Sequence, residues 1–523
     1  MAVCVLNDLP LEVQMHICSY LKDSPKDLLS LALTSKTCRD IAAHYMFGSI
    51  RIVLRSPRAL WDDVQPWLRR LAPRSYGRHV RRLEICLSND FYRDMGHICF
   101  DFRNPQWWTP LGQLLEALPG LASFVVDHDT NFSPQLVKIL RNGLPQCRLN
   151  LRRVNLHPIH ELGPEGTESI SAYDIALLSL PQLYYVSIIE HAEEADMPTH
   201  ANDLLALMLA SGLAPNLEIV DMIPASSEMR DRRRKKSYGC DRSHLEELVS
   251  WEIEHSSLSF ELTRVPNMGS LKCLSLRDST VERLHAWTMA TDFTALSRLR
   301  LRVNDSHISW LVQNCRLLGL TGLELQLIPP LPSDALLETF FDTLPPLSSL
   351  SLSGHFSRVS FLHAIGTHGA SLRSLELRLR VWGELGGNSG GYSREWYGFC
   401  TETVAEISPA CPLLENISID MAVDEHFQRN CVHIGRIRRL RNAHVRLERT
   451  GEERSFQVWN VICGQRRGQL ESLIVDSTYE FRKAGSGEDE SVSVREIPYS
   501  IRETMYDLTP WPDATLRSRL SLF

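Results

Sequence analysis

A hydrophobic pattern, Leu-x-x-Leu-x-Leu, recurs along most of the chain. Five consecutive copies are regular, with steps of 25, 24, 27 and 25 residues between their central leucines, Leu274, Leu299, Leu323, Leu350 and Leu375. The alternation inside each copy predicts a short strand with one buried side, and apolar segments between the copies predict helices. Looser copies precede and follow these five, centred on Phe124, Val154, Val186, Val220, Ile417, Ala443 and Leu473. The pattern therefore predicts an α/β chain in which parallel strands alternate with helices.

The N-terminal stretch Leu6–Ala43 follows a helical period instead. An apolar residue recurs at every fourth position, at Leu9, Val13, Ile17 and Leu21, which places these side chains on one face of a helix. Pro10 suits the first turn of that helix, and Asp8 can cap it. The apolar run Leu28–Leu33 and the capping pair Thr34-Ser35 predict two more helices. Three such short helices carry more apolar surface than they can cover, so a partner or the rest of the chain must bury the remainder.

Together these N-terminal positions resemble an F-box. In that family the motif docks on a Skp-type adaptor, which joins it to a cullin–RING ubiquitin ligase. The resemblance implies that the small core and the adaptor contact are built by Leu9, Pro10, Val13, Ile17, Leu21, Leu28 and Leu33. The family often has tryptophan three residues after the serine, where this chain has Cys38, and this departure predicts weaker docking. The alternative is an ordinary three-helix cap on a larger domain.

The strand pattern resembles a leucine-rich repeat. Because one such unit cannot cover its own apolar side, the units are expected to stack into a solenoid, with parallel strands on the concave face and helices outside. The predicted organisation is a short three-helix F-box (1–48), a linker helix and strand region (49–79) and a leucine-rich-repeat-like solenoid (80–482). Insertions are predicted near 224–243 and 383–396, and an acidic loop with a C-terminal tail or cap in 483–523.

Composition excludes several classes of function. The formal net charge of −7 indicates neither a nucleic-acid partner nor an anionic membrane. No apolar run reaches about 18 residues, so no membrane span is predicted. The 13 cysteines are scattered without a C-x-x-C pair, which is typical of a reducing compartment and indicates a cytoplasmic or nuclear protein. Because P-loop, G-x-S-x-G and H-E-x-x-H motifs are also missing, we expect a non-catalytic protein without a cofactor or a metal site.

Outward positions of neighbouring strands should form rows, at a spacing of about 4.8 Å. One predicted row holds Arg277, Arg302, Gln326, Ser353 and Arg378, and a second holds Ser275, Arg300, Glu324, Ser351, Glu376 and Ser418. We therefore predict a basic patch that binds an acidic or phosphorylated segment of a target protein, built from Arg277, Arg298, Arg300, Arg302 and Arg378. In the alternative, cross-strand pairs such as Arg300 with Glu324 neutralise one another on a solvated face.

Three hypotheses for the function follow. The first is a substrate-recognition subunit of an SCF-type (Skp–cullin–F-box) ubiquitin ligase, whose repeats hold an unknown target protein. The second is a leucine-rich-repeat interaction scaffold that acts outside a ligase. The third is an enzyme that uses the glycine-rich insertion Gly383–Gly391, and it is the weakest because no lysine follows in P-loop register. The basic run Met229–Lys236 is either a nuclear-import signal, a phosphate-binding patch or a solvated loop.

Overall fold

A computed structural model of the protein describes 20 segments of the chain. They are residues 9–22, 24–54, 60–71, 76–87, 105–127, 134–154, 177–190, 205–206, 208–210, 212–224, 269, 271–277, 280–354, 356–378, 401–421, 426–447, 452–464, 470–475, 479–484 and 491–496. The chain divides into two compact units. The first comprises Met1–Leu271 and Ala286–Asp292, and the second comprises Lys272–His285 and Phe293–Phe523.

The first unit starts with three helices and continues as alternating strands and helices. Its described elements are α1 (Leu11–Tyr20), α2 (Pro25–Ala32), α3 (Lys36–Met46), β1 (Ser49–Leu54), α4 (Leu60–Leu71), a 3-10 helix (Tyr76–His79), β2 (Arg82–Leu87), α5 (Pro105–Glu116), β3 (Ser123–Asp127), α6 (Pro134–Gly143), β4 (Arg148–Val154), β5 (Leu183–Glu190) and β6 (Ile219–Pro224). Strands β1 to β6 pair in chain order, and every pair is parallel.

The second unit repeats the same alternation. Its described elements are β7 (Cys273–Leu276), the start of α7 (Val281–Ala290), β8 (Arg298–Val303), α8 (Asp305–Asn314), β9 (Gly322–Leu327), α9 (Asp334–Thr343), β10 (Ser349–Gly354), α10 (Arg358–His368), β11 (Ser374–Arg378), α11 (Thr401–Ala410), β12 (Asn416–Met421), α12 (Phe427–Gly435), β13 (Asn442–Leu447), α13 (Glu452–Gly464), β14 (Ser472–Val475), β15 (Tyr479–Ala484) and β16 (Ser491–Glu496). Strands β7 to β14 pair in parallel and in chain order, whereas β14, β15 and β16 pair antiparallel.

Leucines of the repeated pattern form the core between the strands and the helices. The two inward leucines of each of four successive strands are almost completely buried, at Leu299, Leu301, Leu323, Leu325, Leu350, Leu352, Leu375 and Leu377. Their partners in the register are leucines at the same position of the next strand. The predicted strands and the predicted parallel α/β solenoid class are thereby confirmed.

Most of the described repeats are joined to the previous one by a recurring set of hydrogen bonds at the start of the strand, whereas β4, β5 and β6 have a single bond there. Two consecutive backbone N–H groups donate to one carbonyl of the preceding repeat, as Ser297 and Arg298 do to Lys272, at 2.8 and 3.0 Å. The first unit contains the same arrangement, in which the N–H groups of Arg81 and Arg82 donate to the carbonyl of Gly48. In the second unit the side-chain hydroxyl of Ser297 also donates to the Lys272 carbonyl, at 3.0 Å. These hydrogen bonds therefore link adjacent repeats.

Several boundaries differ from the predictions. Helix α1 begins at Leu11, so Pro10 is the N-cap residue and lies outside the first helical turn. Helix α3 begins directly after the predicted cap Ser35, but it continues to Met46, whereas it was expected to run through Ile41. The segment 483–523, expected to hold an acidic loop and a tail or cap, includes the end of β15 at Ala484 and the whole of β16, Ser491–Glu496. The two predicted insertions, with the runs Met229–Lys236 and Gly383–Gly391, lie outside the described residues, as does Asp8.

No helix within the described segments is long and apolar enough to cross a membrane.

Candidate functional site

The three N-terminal helices share a small core. Leu28, Ala32 and Ala42 are buried there, and Leu21 and Tyr45 pack against them. Polar contacts add to this packing. The Tyr45 hydroxyl donates to the carbonyl of Met15 at 2.7 Å and so joins α3 to α1. The Ser35 hydroxyl accepts a hydrogen bond from the N–H of Cys38 at 3.1 Å and caps α3.

Outside this core, two stripes of large apolar side chains face solvent. Val13, Ile17 and Tyr20 form one stripe along α1. Ile17 follows Val13 by four residues and Tyr20 follows Ile17 by three, which places all three on one face of the helix. Leu29 and Leu33 form the second, along α2 and its C-terminal cap. Their exposed fractions lie between 36% and 75%. We call Val13, Ile17, Tyr20, Leu29 and Leu33 the apolar stripes, and they are the candidate contact surface of this domain.

The structure separates the residues predicted to bind an adaptor into three groups. Pro10, Val13, Ile17 and Leu33 are exposed, Leu9 and Leu21 are half-buried, and Leu28 is buried. Leu28 therefore supports the helices from inside, and its side chain is not available to a partner. Tyr20 and Leu29 were missed, although the four-residue spacing between Leu29 and Leu33 could have identified that stripe. The docking role of these residues stays a prediction.

Cys38 lies in the interior of the three-helix domain. Its side chain and that of Cys18 are both almost fully buried. Burial raises the pKa of the Cys18 thiol, and the neighbouring Cys38 raises it further. Cys38 thus lies inside the domain, while the side chains of the apolar stripes face solvent.

A compact junction connects the three helices to the first repeat. The ring of Phe47 stacks on that of Tyr76, and His44 meets His79 edge-on with ring centroids 6.3 Å apart. Burial, together with Arg78 and His44, lowers the pKa of His79. Gly77 lies so close to the next repeat that a Cβ there would be 2.1 Å from the carbonyl oxygen of Ala117. The position of the helices relative to the first strands is thus defined by direct packing.

The second candidate surface is the strand face of the second unit that points away from the helices. The register places Ser275 beside Arg300, Arg300 beside Glu324, Glu324 beside Ser351 and Ser351 beside Glu376. It likewise aligns Arg302 with Gln326 and Ser353 with Arg378. The two rows predicted from the sequence are therefore confirmed for the positions that these strands include.

Ion pairs run along this face. Arg300 lies 2.6 Å from Glu324, and Arg378 lies 2.6 Å from Glu376. Further along, Arg446 contacts Asp420 closely and lies 3.5 Å from Glu376. All six side chains are at most one-quarter exposed. Because these charges are partly removed from water, each interaction is stronger than it would be between fully solvated side chains.

Burial and neighbouring guanidinium groups act in opposite directions on the acidic side chains. Burial raises the pKa of Glu324, although Arg300, Arg277 and Arg378 oppose this effect. Burial also disfavours the ionised form of Glu376, but Arg378 and Arg446 more than compensate, and the pKa of Glu376 is lowered. The pKa of His444 lies well below its usual value because of burial and because Arg446 and Arg378 are close. Glu376 is thus held as a carboxylate by two arginines.

The five arginines predicted to bind a target occupy different positions. Arg300 and Arg378 belong to the ion pairs, while Arg277 and Arg302 are half-buried in the outer row. Arg298 lies at the start of β8 with its aliphatic stem over Gly322, where a Cβ would be only 3.2 Å from the Arg298 Cγ. Arg446 was missed because its strand carries the looser pattern Leu-x-x-Ala-x-Val. Their role in binding a target stays a prediction.

No group of three or more His, Cys, Asp or Glu side chains within the described segments is arranged to hold a metal ion.

Comparison with known proteins gives one match at the N-terminus. Residues 6–47 match a family model described as F-box-like. No curated protein matches the chain. Among solved structures, the chain is similar to one described as the crystal structure of the Rad7 and Elc1 complex in yeast, with 14% sequence identity and a TM-score of 0.37, over 90% of this chain and 98% of that chain.

Proposed function

We propose that this chain, which consists of an F-box-like domain followed by parallel-strand repeats, is a substrate-recognition subunit of an SCF-type ubiquitin ligase. The F-box-like domain binds a Skp-type adaptor through the apolar stripes, and the adaptor connects it to a cullin–RING ligase. The repeats hold a target protein. The observation that supports this proposal best is the coincidence of the family match at residues 6–47 with large apolar side chains that face solvent.

Docking of the adaptor is driven by burial of the stripes. Covering a side chain such as Ile17 or Leu33 contributes roughly 1.5–3 kcal/mol if it is fully removed from water. Within the ligase the chain itself needs no catalytic group. It raises the concentration of the target near the charged conjugating enzyme, so ubiquitin transfer is accelerated by proximity. We place this activity in the cytoplasm or the nucleus, since the scattered cysteines suit a reducing compartment.

Co-purification with a Skp-type adaptor tests the docking step. The double variant Val13→Asp/Ile17→Asp places two charges in the α1 stripe, and we expect it to lose adaptor binding while circular dichroism shows a folded chain. The matched control is Leu11→Asp. Leu11 is also exposed, but it lies on the opposite side of α1 from Val13 and Ile17, so this variant should bind the adaptor as the unchanged chain does. Adaptor recovery that is equal for the double variant and the unchanged chain would contradict the proposal.

A scaffold that acts outside a ligase is the second candidate, and the residue at position 38 favours it. Cys38 fills the interior position where F-box proteins often have tryptophan. A reconstituted reaction separates the two candidates, with the chain, the adaptor, a cullin–RING module, a conjugating enzyme and ubiquitin. A receptor should show ubiquitination of itself or of a bound protein that depends on Val13 and Ile17. A scaffold should bind the adaptor and give no ubiquitin conjugates.

A further inference from the structure

A cavity of about 300 Å³ lies in the second unit, where α9 and α10 begin. It is lined by residues that precede these two helices or belong to the start of α9. Within the described part of the chain the lining consists of Leu331, Pro332, Asp334, Leu337, Phe356 and Ser357. The volume lies at the lower limit of ligand pockets, so the cavity suits one side chain of a partner better than a larger molecule.

The apolar lining joins the core on one side and reaches solvent on the other. Pro332 and Leu337 are buried. The ring of Phe356 is half-buried and lies near that of Phe361 in α10, with the ring centroids 6.3 Å apart. Leu331, in contrast, is 44% exposed. The cavity is therefore anchored to the core and accessible from outside.

Two hydroxyl groups hold the acidic side chain of the cavity. Ser357 and Ser360 both donate to Asp334 Oδ1, at 2.5 Å each. The Ser357 hydroxyl also accepts a hydrogen bond from the N–H of Ser360 at 3.0 Å and so caps α10. These hydrogen bonds join the start of α9 to the start of α10, and they set the position of the Asp334 carboxylate.

Asp334 is ionised and has one oxygen left for a partner. The two serine hydroxyls lower its pKa, and no cationic side chain of the described segments contributes to this shift. Both hydrogen bonds go to Oδ1, and within those segments Oδ2 accepts none. The side chain is exposed. A negative charge thus borders a mostly apolar cavity, and the described part of the chain places no cation against it.

We propose that this cavity binds a lysine or arginine side chain of the target protein. The aliphatic stem lies against Leu331 and Phe356, and the cationic group donates to Asp334 Oδ2. Long basic side chains combine these two parts, an apolar stem and a charged end. Charge complementarity identifies the occupant, because an acidic side chain would be repelled by Asp334 and an apolar one would leave Oδ2 without a donor. This inference rests on the proposed function, since it gives the chemistry of the segment that the repeats hold.

Binding of short peptides to the full chain tests the cavity. The probes are capped pentapeptides of glycine with one central residue, which is arginine, lysine, norleucine or glutamine. Saturation-transfer difference NMR suits such weak ligands of a large protein. We expect the arginine or the lysine peptide to bind at least about fivefold more tightly than the norleucine and glutamine peptides. Saturation should be strongest on the methylene protons of the basic side chain, which contact the apolar lining.

Substitution of the carboxylate locates the charge contact. Asp334→Asn keeps an oxygen that can accept from both serines, and it should weaken binding of the preferred basic peptide about fivefold. The matched control is Asp305→Asn. Asp305 holds the same first position in α8, one repeat earlier, and it does not line the cavity, so the change should alter the affinity less than about twofold.

Substitution of the apolar lining locates the stem. Leu331→Ser should weaken binding of the basic peptide about threefold, whereas Leu318→Ser, which changes an exposed leucine outside the cavity, should not. Equal affinities for the norleucine and basic peptides, equal effects of Asp334→Asn and Asp305→Asn, or no binding of either basic peptide would overturn the proposal. Circular dichroism checks that each variant is folded.

The docking variant separates this inference from the proposed function. Val13→Asp/Ile17→Asp, measured without adaptor, should bind the basic peptide as the unchanged chain does. Adaptor binding with no binding of a basic peptide would contradict only the cavity's role. Binding of the basic peptide with no adaptor binding by the unchanged chain would contradict only the receptor function.

Discussion

Phe47 stacks on Tyr76 with ring centroids 4.9 Å apart and planes 17° from parallel. Phe47 is the C-cap residue of α3 in the F-box-like domain, and Tyr76 opens the 3-10 helix before β2. Next to this pair, the carbonyl of Gly48 accepts the N–H groups of Arg81 and Arg82. The F-box-like domain is therefore packed on the first repeat, and the two should unfold together.

Loss of this stack should destabilise both parts. We expect Phe47→Ala to lower the free energy of unfolding of the first unit by about 1–3 kcal/mol, since it removes an aromatic pair and its buried area. Urea unfolding followed by circular dichroism and by proteolysis measures the change. Trp61→Ala is the control, because Trp61 is half exposed on α4 and its loss should cost about 0.5 kcal/mol or less. Equal effects of the two changes would contradict the role assigned to the junction.

Gly354 ends β10 in a conformation that other residues rarely adopt. Its φ is +98°, and a Cβ there would lie 2.2 Å from the carbonyl oxygen of Leu327. We expect Gly354→Ala to destabilise the second unit by about 3 kcal/mol or more, from left-handed backbone strain and from the clash with the neighbouring strand. Gly366→Ala is the matched control. Gly366 lies in α10 with no atom within 4 Å of the added methyl, so the change should stabilise the helix by up to about 1 kcal/mol. Thermal unfolding should therefore shift in opposite directions for the two variants.

The buried pair Asp420 and Arg446 should be strongly coupled. Removing either partner leaves a charge in a nearly buried position, at a cost of about 3–5 kcal/mol. In a cycle of Asp420→Ala, Arg446→Met and the double variant, we expect the double variant to be destabilised by less than the sum of the single changes. The exposed pair Arg441 and Glu471 is the comparison, with an expected coupling of about 0.5 kcal/mol or less. Additive costs at Asp420 and Arg446 would show that the two side chains act independently.

His368 should make the stability of the second unit depend on pH. It is buried in α10 against Phe341, and burial lowers its pKa below 6.5 even though the Phe341 backbone and Asp342 favour the charged form. Below pH 6.5 the unfolded chain therefore binds a proton that the folded chain does not. Stability should fall as the pH decreases through this window, by at most about 1.4 kcal/mol per pH unit for this side chain. His368→Gln should reduce the slope of the unfolding free energy between pH 5 and pH 6.5, and an unchanged slope would show that other groups cause it.

Local periodicity predicted those parts of the fold whose core is made by neighbours in the chain. The strands around Leu299 and Leu323 follow from the leucine triplet, because each strand buries the same side chains against the next repeat. The helix Leu60–Leu71 lies in the predicted linker helix and strand region (49–79), since its apolar face and the following proline define it locally. The antiparallel strands β15 and β16 were missed because the acidic and glycine-rich composition between them obscured the alternation of Val492 and Val494.

Side-chain environment was less predictable than secondary structure. A spacing of four residues placed Val13, Ile17 and Leu21 on one side of α1, but it does not specify which of them another helix covers. Leu28 and Leu33 look alike in the sequence, yet one lies in the small core and the other faces solvent. Ion pairs between successive strands could be predicted from the register. The contact of Arg446 on β13 with Glu376 on β11 could not, because β12 lies between these two strands.

The reversal of chain direction at β15 and β16 has a consequence for how copies of the protein can assemble. Parallel repeats joined by the paired N–H ladder have an edge that would accept another repeat of the same kind, so an uncapped array can grow head to tail into fibres. The first strand of the antiparallel hairpin, β15, occupies the edge of β14 that a further parallel repeat would use, and β16 then runs in the same direction as β14. Within the described strands, a second copy therefore cannot add a repeat directly to β14, because the hairpin already fills that edge.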